Sequence, residues 1–436
     1  MSIGLLSLII FGALVLLLLL GVPIAFSLLA VSAVGIFFVW GPRGLMALYN
    51  SAYGEGTSFL LLAIPLFVLM ANVLKFSGLA DELYEIVHRW MGGLRGGLAM
   101  GTVVICAIFA AMAGISSVAT VSMGLIALPA MLDRRYDRVM AVGCINAGGA
   151  LGILIPPSII MILYGSMAEV SIGQLFAGGI LPGILMSVIF IIYIGVRCWI
   201  NPTLAPAIEE RYTMVQKLAS LKGIILPVAL VVLVLGVIYT GVATPTEAAA
   251  VGAGGAILTA ALHRELTWGR LRQACMETLH LSAMIFWIII GAVTFTNFLA
   301  FVGIQDMVQQ WVVGLEVNRW IIMLCMQSVF FVLGMFLDPA GIILLTTPIF
   351  VPIITQLGFD PLWFGVLFTI NMEMAYITPP FGFNLFILKG VVPSAISMAD
   401  IYRSVAPFVI LQAICLGVVM LWPELALYLP SLMAGR

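Results

Sequence analysis

Two proline pairs constrain this chain more than any other feature. Ile155-Pro156-Pro157-Ser158 and Thr378-Pro379-Pro380-Phe381 each interrupt a long apolar segment, at corresponding points of the two halves of the sequence. Proline removes a backbone donor and clashes with the preceding turn, so a helix holding such a pair frees polar groups that hydrocarbon cannot satisfy. Such backbone persists in a membrane only where protein buries it or where it lines a polar cavity. Matched interruptions in two halves point to the ion and substrate sites of a secondary transporter.

The composition sets the solvent. Hydrophobic residues make up 63% of the chain and charged residues 8%, against about a quarter charged in soluble domains. This is an all-α polytopic membrane protein. With about 20 residues needed per crossing, spans are expected at 3-20, 23-40, 57-77, 138-165, 175-199, 223-240, 242-262, 281-302, 361-388 and 404-428. Two further stretches, 97-132 and 321-355, are broken in the middle by small, polar or proline residues and are read as re-entrant helical hairpins. The six cysteines stand singly without CxxC spacing, which suggests neither a disulfide framework nor a zinc site. No basic n-region precedes residues 3-20, which are therefore read as a retained helix. Nothing resembles a soluble domain or a long linker.

The halves repeat each other. Asn72-Val-Leu-Lys-Phe-Ser-Gly78-Leu-Ala-Asp81 recurs as Asn297-Phe-Leu-Ala-Phe-Val-Gly303-Ile-Gln-Asp306, preserving N-x-L-x-F-x-G-x-x-D. Around each copy come a Gly-Val-Pro type break, a hairpin and a proline-interrupted helix that opens with Ile145-Asn146 or Ile370-Asn371. The chain thus reads as a tandem duplication. The first repeat covers 1-200 (scaffold helices 3-77, hairpin 97-132, broken helix 138-165, helix 175-199). A cytoplasmic connector at 201-222 carries Glu209, Glu210, Arg211, Lys217 and Lys222. The second repeat covers 223-436 (scaffold helices 223-302, hairpin 321-355, broken helix 361-388, helix 404-428). Placing the loop after residue 77 in the cytoplasm puts every Lys and Arg of the 18 inside except Arg43, Arg319 and Arg436, as the positive-inside rule requires. Each half then crosses an odd number of times. The repeats are inverted, and both termini are expected in the periplasm. Every Trp except Trp287 falls near an expected helix end, where interfacial anchors sit.

Each candidate site has a structural alternative. In the first half, Ser116, Ser117 and Thr120 at the hairpin tip face Asn146, Gly148, Gly149, Pro156, Pro157 and Ser158 at the break. Small residues let carbonyls approach a sodium ion, or else only permit close helix packing. In the second half, the tip Asp338-Pro339-Ala340-Gly341 faces Thr378, Pro379, Pro380 and Asn384. An intramembrane carboxylate marks an ion or proton site, but Asp338 followed by proline also suits a helix N-cap. Glu373 either titrates, pairs with a neighbour or lies in a solvated vestibule. Thr244 and Glu247 have capping-box spacing, and Asn72 and Asn297 are read as ties between helices. Residues 81-90 form an amphipathic helix at the cytoplasmic surface, either an arm holding a mobile domain or an interfacial helix. His88, His263 and His280 are assigned to loops and form no ligand cluster. HExxH, GxSxG and Walker motifs are absent, so neither a membrane protease nor an ATP-driven pump is supported.

Four ordered motifs bring in a family. Gly114-Ile-Ser-Ser-Val-Ala-Thr, Asn146-Ala-Gly-Gly-Ala-Leu-Gly-Ile-Leu-Ile-Pro-Pro-Ser158, Ala243-Thr-Pro-Thr-Glu-Ala-Ala-Ala-Val-Gly252 and Ile377-Thr-Pro-Pro-Phe-Gly-Phe-Asn-Leu-Phe386 together resemble the DctM-like large membrane subunit of TRAP transporters, the tripartite ATP-independent periplasmic family. The resemblance covers essentially the whole chain. It implies an elevator-type fold and a Na⁺-coupled importer of organic acids in the bacterial inner membrane. A periplasmic substrate-binding protein and a small four-helix membrane subunit are the implied partners. No cofactor beyond Na⁺ and no nucleic acid is implied. Carried onto this sequence, sodium site 1 takes Ser116, Ser117, Asn146, Gly148 and Gly149. Sodium site 2 takes Asp338, Pro339, Ala340, Gly341, Thr378 and Pro379. Thr120, Pro156, Pro157, Ser158, Pro380 and Asn384 are assigned to substrate. Because the chain opens on the large subunit's first helix, a separate small subunit is expected, seated on the flanks of residues 3-40. The alternative is a stand-alone Na⁺ or H⁺ dicarboxylate carrier of the same fold.

Overall fold

The computed structural model describes residues 3–207 and 212–434. Among these, every regular element is helical. The first half runs α1 (Ile3–Leu19), α2 (Ile24–Trp40), α3 (Met46–Gly56), α4 (Ala63–Lys75), α5 (Leu79–Met91), α6 (Gly97–Ala113), α7 (Ser116–Asp133), α8 (Arg138–Ala150), α9 (Ile159–Met167) and α10 (Ile172–Ile200). After a short α11 (Met214–Ser220), the second half runs α12 (Lys222–Tyr239), α13 (Pro245–Leu262), α14 (Trp268–Phe301), α15 (Ile304–Val313), α16 (Arg319–Gly334), α17 (Pro339–Gln356), α18 (Pro361–Tyr376), α19 (Phe383–Val391), α20 (Met398–Leu421) and α21 (Glu424–Ala434). From α4 and from α14 onward the order of elements is the same. A helix with the Asn motif leads to a second, amphipathic helix, then to two helices joined by a tight turn. A helix that stops at the proline pair and resumes beyond it follows, and a long helix closes the series.

Among the described residues six helices, α7, α10, α12, α14, α17 and α20, are long and apolar enough to cross a membrane, and a bent pair adds a seventh. The apolar run expected at 57-77 holds Leu60–Lys75, and a sharp break stands at its start: Pro42–Gly56 and Leu60–Lys75 meet at 58°. The run Gly54-Glu55-Gly56 favours a break, and Pro65 supplies no donor to the turn before it. α1, α2, α6, Arg138–Ile153 and α16 are apolar but shorter. The span expected at 281-302 is also longer than hydropathy indicates. α14 begins at Trp268, capped by Thr267, whose side chain accepts from the Arg270 amide. Arg270, Arg272, Glu277 and His280 thus ride on the polar extension of a membrane helix. Two of the histidine assignments need the same correction, since His88 lies in α5 and His280 lies in α14; His263 lies in the turn that follows α13.

Packing sorts the helices into two groups. α2, α4, α13 and α14 pack together, with Gly291 of α14 close enough to α2 that a Cβ there would come within 2.7 Å of the Ala25 carbonyl. Asn72 donates to Thr278 Oγ1 at 3.0 Å and Asn297 donates to Ser51 Oγ at 3.3 Å, so both asparagines tie helices together. Lys75 and Glu277 add an ion pair at 2.8 Å between α4 and α14. The second group joins α6, α7, α8, α10, α16, α18 and α20. Here the halves interlock, since α17 packs on α9 and α19 packs on α7. The apolar face of α5, including Leu83, Ile86 and Val87, is buried and packs on α6 and α12. The connector is partly internal. The Leu204 and Ala205 carbonyls accept from the Asp137 and Gly96 amides at 2.8 and 3.1 Å. Glu209, Glu210, Arg211 and Arg436 lie outside the described residues. The capping box at the start of α13 is present, with Glu247 accepting from the Thr244 amide at 2.8 Å.

Candidate functional site

The first hairpin turns on Gly114, whose φ of +62° suits glycine. A Cβ there would lie 2.5 Å from the Pro157 carbonyl oxygen, and one on Gly152 would lie 2.9 Å from Ser116 Cα. Absence of side chains at these two positions lets the hairpin tip and the interrupted helix lie against each other. Pro156 and Pro157 are buried in this contact. Ser158 starts α9, with its hydroxyl accepting from the Met161 amide and donating to the Ile153 carbonyl at 2.5 Å.

Ser116 is the hub of the first cluster. Its hydroxyl donates to the Gly149 carbonyl at 2.8 Å and accepts from Asn384 Nδ2 at 2.5 Å. Thr120 Oγ1 donates to the Ser116 carbonyl at 3.1 Å and stands against Gly149, where a Cβ would approach it within 2.0 Å. Asn146 spends its amide on the Val142 carbonyl at 3.4 Å. The side-chain oxygens of Asn146 and Asn384 are buried with no hydrogen-bond partner. Buried unpaired oxygens carry a desolvation cost, and oxygen donors suit a hard cation. Gly148 packs against Cys106 of α6.

At the second tip Asp338 caps α17, accepting from the Ala340 amide at 2.9 Å. Pro339 and Ala340 are buried, and Gly341 packs against Ile24 of α2. Across from them Thr378 donates to the Met374 carbonyl at 2.7 Å, while its own carbonyl accepts from the Gly382 amide at 3.0 Å. Pro379 is half-buried; Pro380 is exposed, and its carbonyl accepts from Tyr402 at 2.9 Å.

Both tips open onto shared space. A cavity of about 260 Å³ is lined by Gly114, Ser116 and Ser117 from one tip, by Asp338 and Ala340 from the other, and by Leu281, Met284 and Ile285 of α14. A neighbouring cavity of about 480 Å³ is lined by residues 334–339, Tyr376, Phe381 and Phe383. Asp338, Tyr376, Phe383 and Ile387 line both. None of Thr120, Pro156, Pro157, Ser158, Pro380 and Asn384, the residues assigned to substrate, lines either cavity. Thr120 and Asn384 instead belong to the cluster around Ser116. The walls that sequence reasoning missed are hydrophobic or aromatic, and apolar residues in an apolar chain give no local signal. Among the described residues Asp338 is the only charged one in either lining, and no Lys, Arg or His joins it.

The family described as tripartite ATP-independent periplasmic transporter, DctM component, matches residues 11–425. The chain belongs to this DctM family. It is 34% identical over 396 residues to the C4-dicarboxylate TRAP transporter large permease protein DctM of Pseudomonas aeruginosa, covering 90% of this chain and 91% of that one. It is 31% identical to the isethionate TRAP transporter permease protein DctMQ of Oleidesulfovibrio alaskensis, covering 96% of this chain but 66% of that longer relative. In fold it is similar to the YdaH transporter of Alcanivorax borkumensis, with a TM-score of 0.65, 17% identity, and 92% and 98% of the two chains covered. DctM proteins are large permeases of a tripartite transporter, which sets aside the stand-alone carrier. They are membrane transport components and do not form an enzyme family.

Proposed function

We propose that this chain is the large transport subunit of a Na⁺-coupled, binding-protein-dependent importer of organic acids. The observation that carries the reading is the charge of the central cavity. An organic anion entering it meets, among the described residues, one carboxylate, Asp338, and no cationic side chain. Binding there is repulsive until positive charge is supplied. The N-termini of α7 and α17 contribute part of it through their dipoles; Na⁺ at the two tips contributes the rest. Sodium site 1 is centred on Ser116, the Gly149 carbonyl and the free oxygen of Asn384, with Asn146, Gly148 and Ser117 alongside. Sodium site 2 is centred on Asp338, with the backbone of Pro339, Ala340, Gly341, Thr378 and Pro379. Cation loading thereby becomes a condition for anion binding, which is symport.

The rest of the reading concerns architecture. About ten spans and two re-entrant hairpins form two inverted repeats. The α2, α4, α13 and α14 group holds still, and the hairpins and broken helices move past it as an elevator, with both termini periplasmic. The cavity that both tips line together with Leu281, Met284 and Ile285 of α14 supports that division. The partners are a periplasmic substrate-binding protein and a small membrane subunit. Relatives of this chain are named as C4-dicarboxylate, isethionate, ectoine and sialic acid transporters, so the substrate is assigned only as a small organic acid or related solute. The test is uptake into proteoliposomes holding the chain and its small subunit. Accumulation is expected only with the cognate binding protein and an inward Na⁺ gradient together; accumulation driven equally by K⁺ would refute the coupling.

A further inference from the structure

The sodium and substrate assignments leave Glu373 unused. It lies in the last turn of α18, is wholly buried, and neither carboxyl oxygen has a hydrogen-bond partner. Among the described residues no ion pair includes it, which removes the salt bridge and the solvated vestibule considered from sequence. The side chain set against it is Gln412 of α20, also wholly buried, whose Oε1 and Nε2 both lack partners. Cys415, one turn along α20, is the other titratable group facing it. The charged residues of the helices packed around it, Arg138, Arg197, Arg319, Asp338, Lys389, Asp400, Arg403 and Glu424, stand near helix ends, and none is among the groups acting on the carboxyl.

Four polar atoms without partners, two on each of two facing side chains, are a complementary set under one condition. An ionised carboxylate has two acceptors and would set one of them against the amide oxygen of Gln412. A carboxylic acid donates its O–H to Gln412 Oε1 while its other oxygen accepts from Nε2–H, and all four atoms are satisfied. A buried, unpaired charge costs several kcal/mol, whereas the acid–amide pair removes both the charge and the unmet bonds. We propose that Glu373 and Gln412 form a proton-binding site in which one proton, taken up from water by the carboxylate, joins the end of α18 to α20. A metal ion is a poorer occupant, because the pair offers three oxygens where hard cations take about six ligands or more. The last turn of α18 also carries Tyr376 to the cavity wall, so the bound proton fixes one edge of the proposed transport site.

The test is infrared spectroscopy on the full chain in lipid at neutral pH, comparing wild type, Glu373→Gln and Gln412→Leu. The wild-type minus Glu373→Gln difference is expected to show a protonated carboxylic C=O stretch that shifts in ²H₂O, and Gln412→Leu is expected to move that band as the acid loses its partner. Carboxylate bands in the difference would overturn the proposal. So would a band that Gln412→Leu leaves in place, or one that Na⁺ titration removes. Should Glu373→Gln fail to fold, the Gln412→Leu shift alone decides. No substrate or partner is needed, so this result stands apart from the transport assay.

Discussion

Replacing Gly149 by alanine isolates the close approach of α7 and α8 on which the proposed sodium site 1 rests. The new Cβ would lie 2.0 Å from Thr120 Oγ1, 3.1 Å from Thr120 Cβ and 3.2 Å from Thr120 Cα. The hydroxyl contact is far inside van der Waals range and the two carbon contacts are only tight, so α7 must retreat from α8 mainly because of one oxygen. Overpacking of this kind costs about 1–3 kcal/mol. The Gly149 carbonyl that accepts from Ser116 moves with it. If that carbonyl ligates Na⁺, each ~1.4 kcal/mol of lost binding raises the half-saturating Na⁺ concentration about tenfold. Thr120→Ala removes the clashing atom and should rescue Gly149→Ala. The double-mutant cycle, read as thermal stability in detergent with and without Na⁺, is expected to give a favourable coupling of about 0.5–3 kcal/mol. A Gly149→Ala protein as stable and as Na⁺-sensitive as wild type, or a double mutant no better than the single, would refute the reasoning.

Four further substitutions, at three positions, separate charge from architecture. Asn384→Ala removes a buried bond to Ser116, at about 1–3 kcal/mol, and should raise the Na⁺ requirement of uptake while changing substrate affinity only at subsaturating Na⁺. Asp338→Asn keeps a good N-cap on α17, so the protein should fold and lose Na⁺-coupled uptake; Asp338→Ala should also lose about 0.5–2 kcal/mol of stability, and equal melting of the two variants would deny the cap. Thr244→Ala breaks the box at the start of α13 at about 0.5–2 kcal/mol and should leave the Na⁺ dependence of uptake untouched.

Much of this was legible because proline, glycine and capping residues act locally. The interruptions after Ile155 and Thr378, the turns at Gly114 and Asp338, and the box at Thr244 follow from backbone chemistry within a few residues. Helix length was less legible. Hydropathy marks where lipid begins and says little of where a helix ends, so the stretch of α14 bearing Arg270, Arg272, Glu277 and His280 was missed. Hydropathy marks the start of the apolar run near Phe59 and gives no angle between it and the polar stretch Gly54-Glu55-Gly56 before it, so the bend between α3 and α4 was missed. Pairings between distant residues were not legible at all. Nothing local in Asn384 distinguishes a cavity wall from a partner for Ser116, and nothing in Glu373 announces Gln412.

The bond between Asn384 and Ser116 has a consequence for how such a chain can change over generations. It ties the interrupted helix of one half to the hairpin tip of the other, at a point where neither side chain is exposed. If the halves descend from one ancestral segment, as proposed, they began as two interchangeable copies; a cross-tie of this kind ends the interchange, because each half now holds one member of an unlike pair. From then on the halves drift only in step, and a substitution at one tip is judged by a residue encoded far downstream.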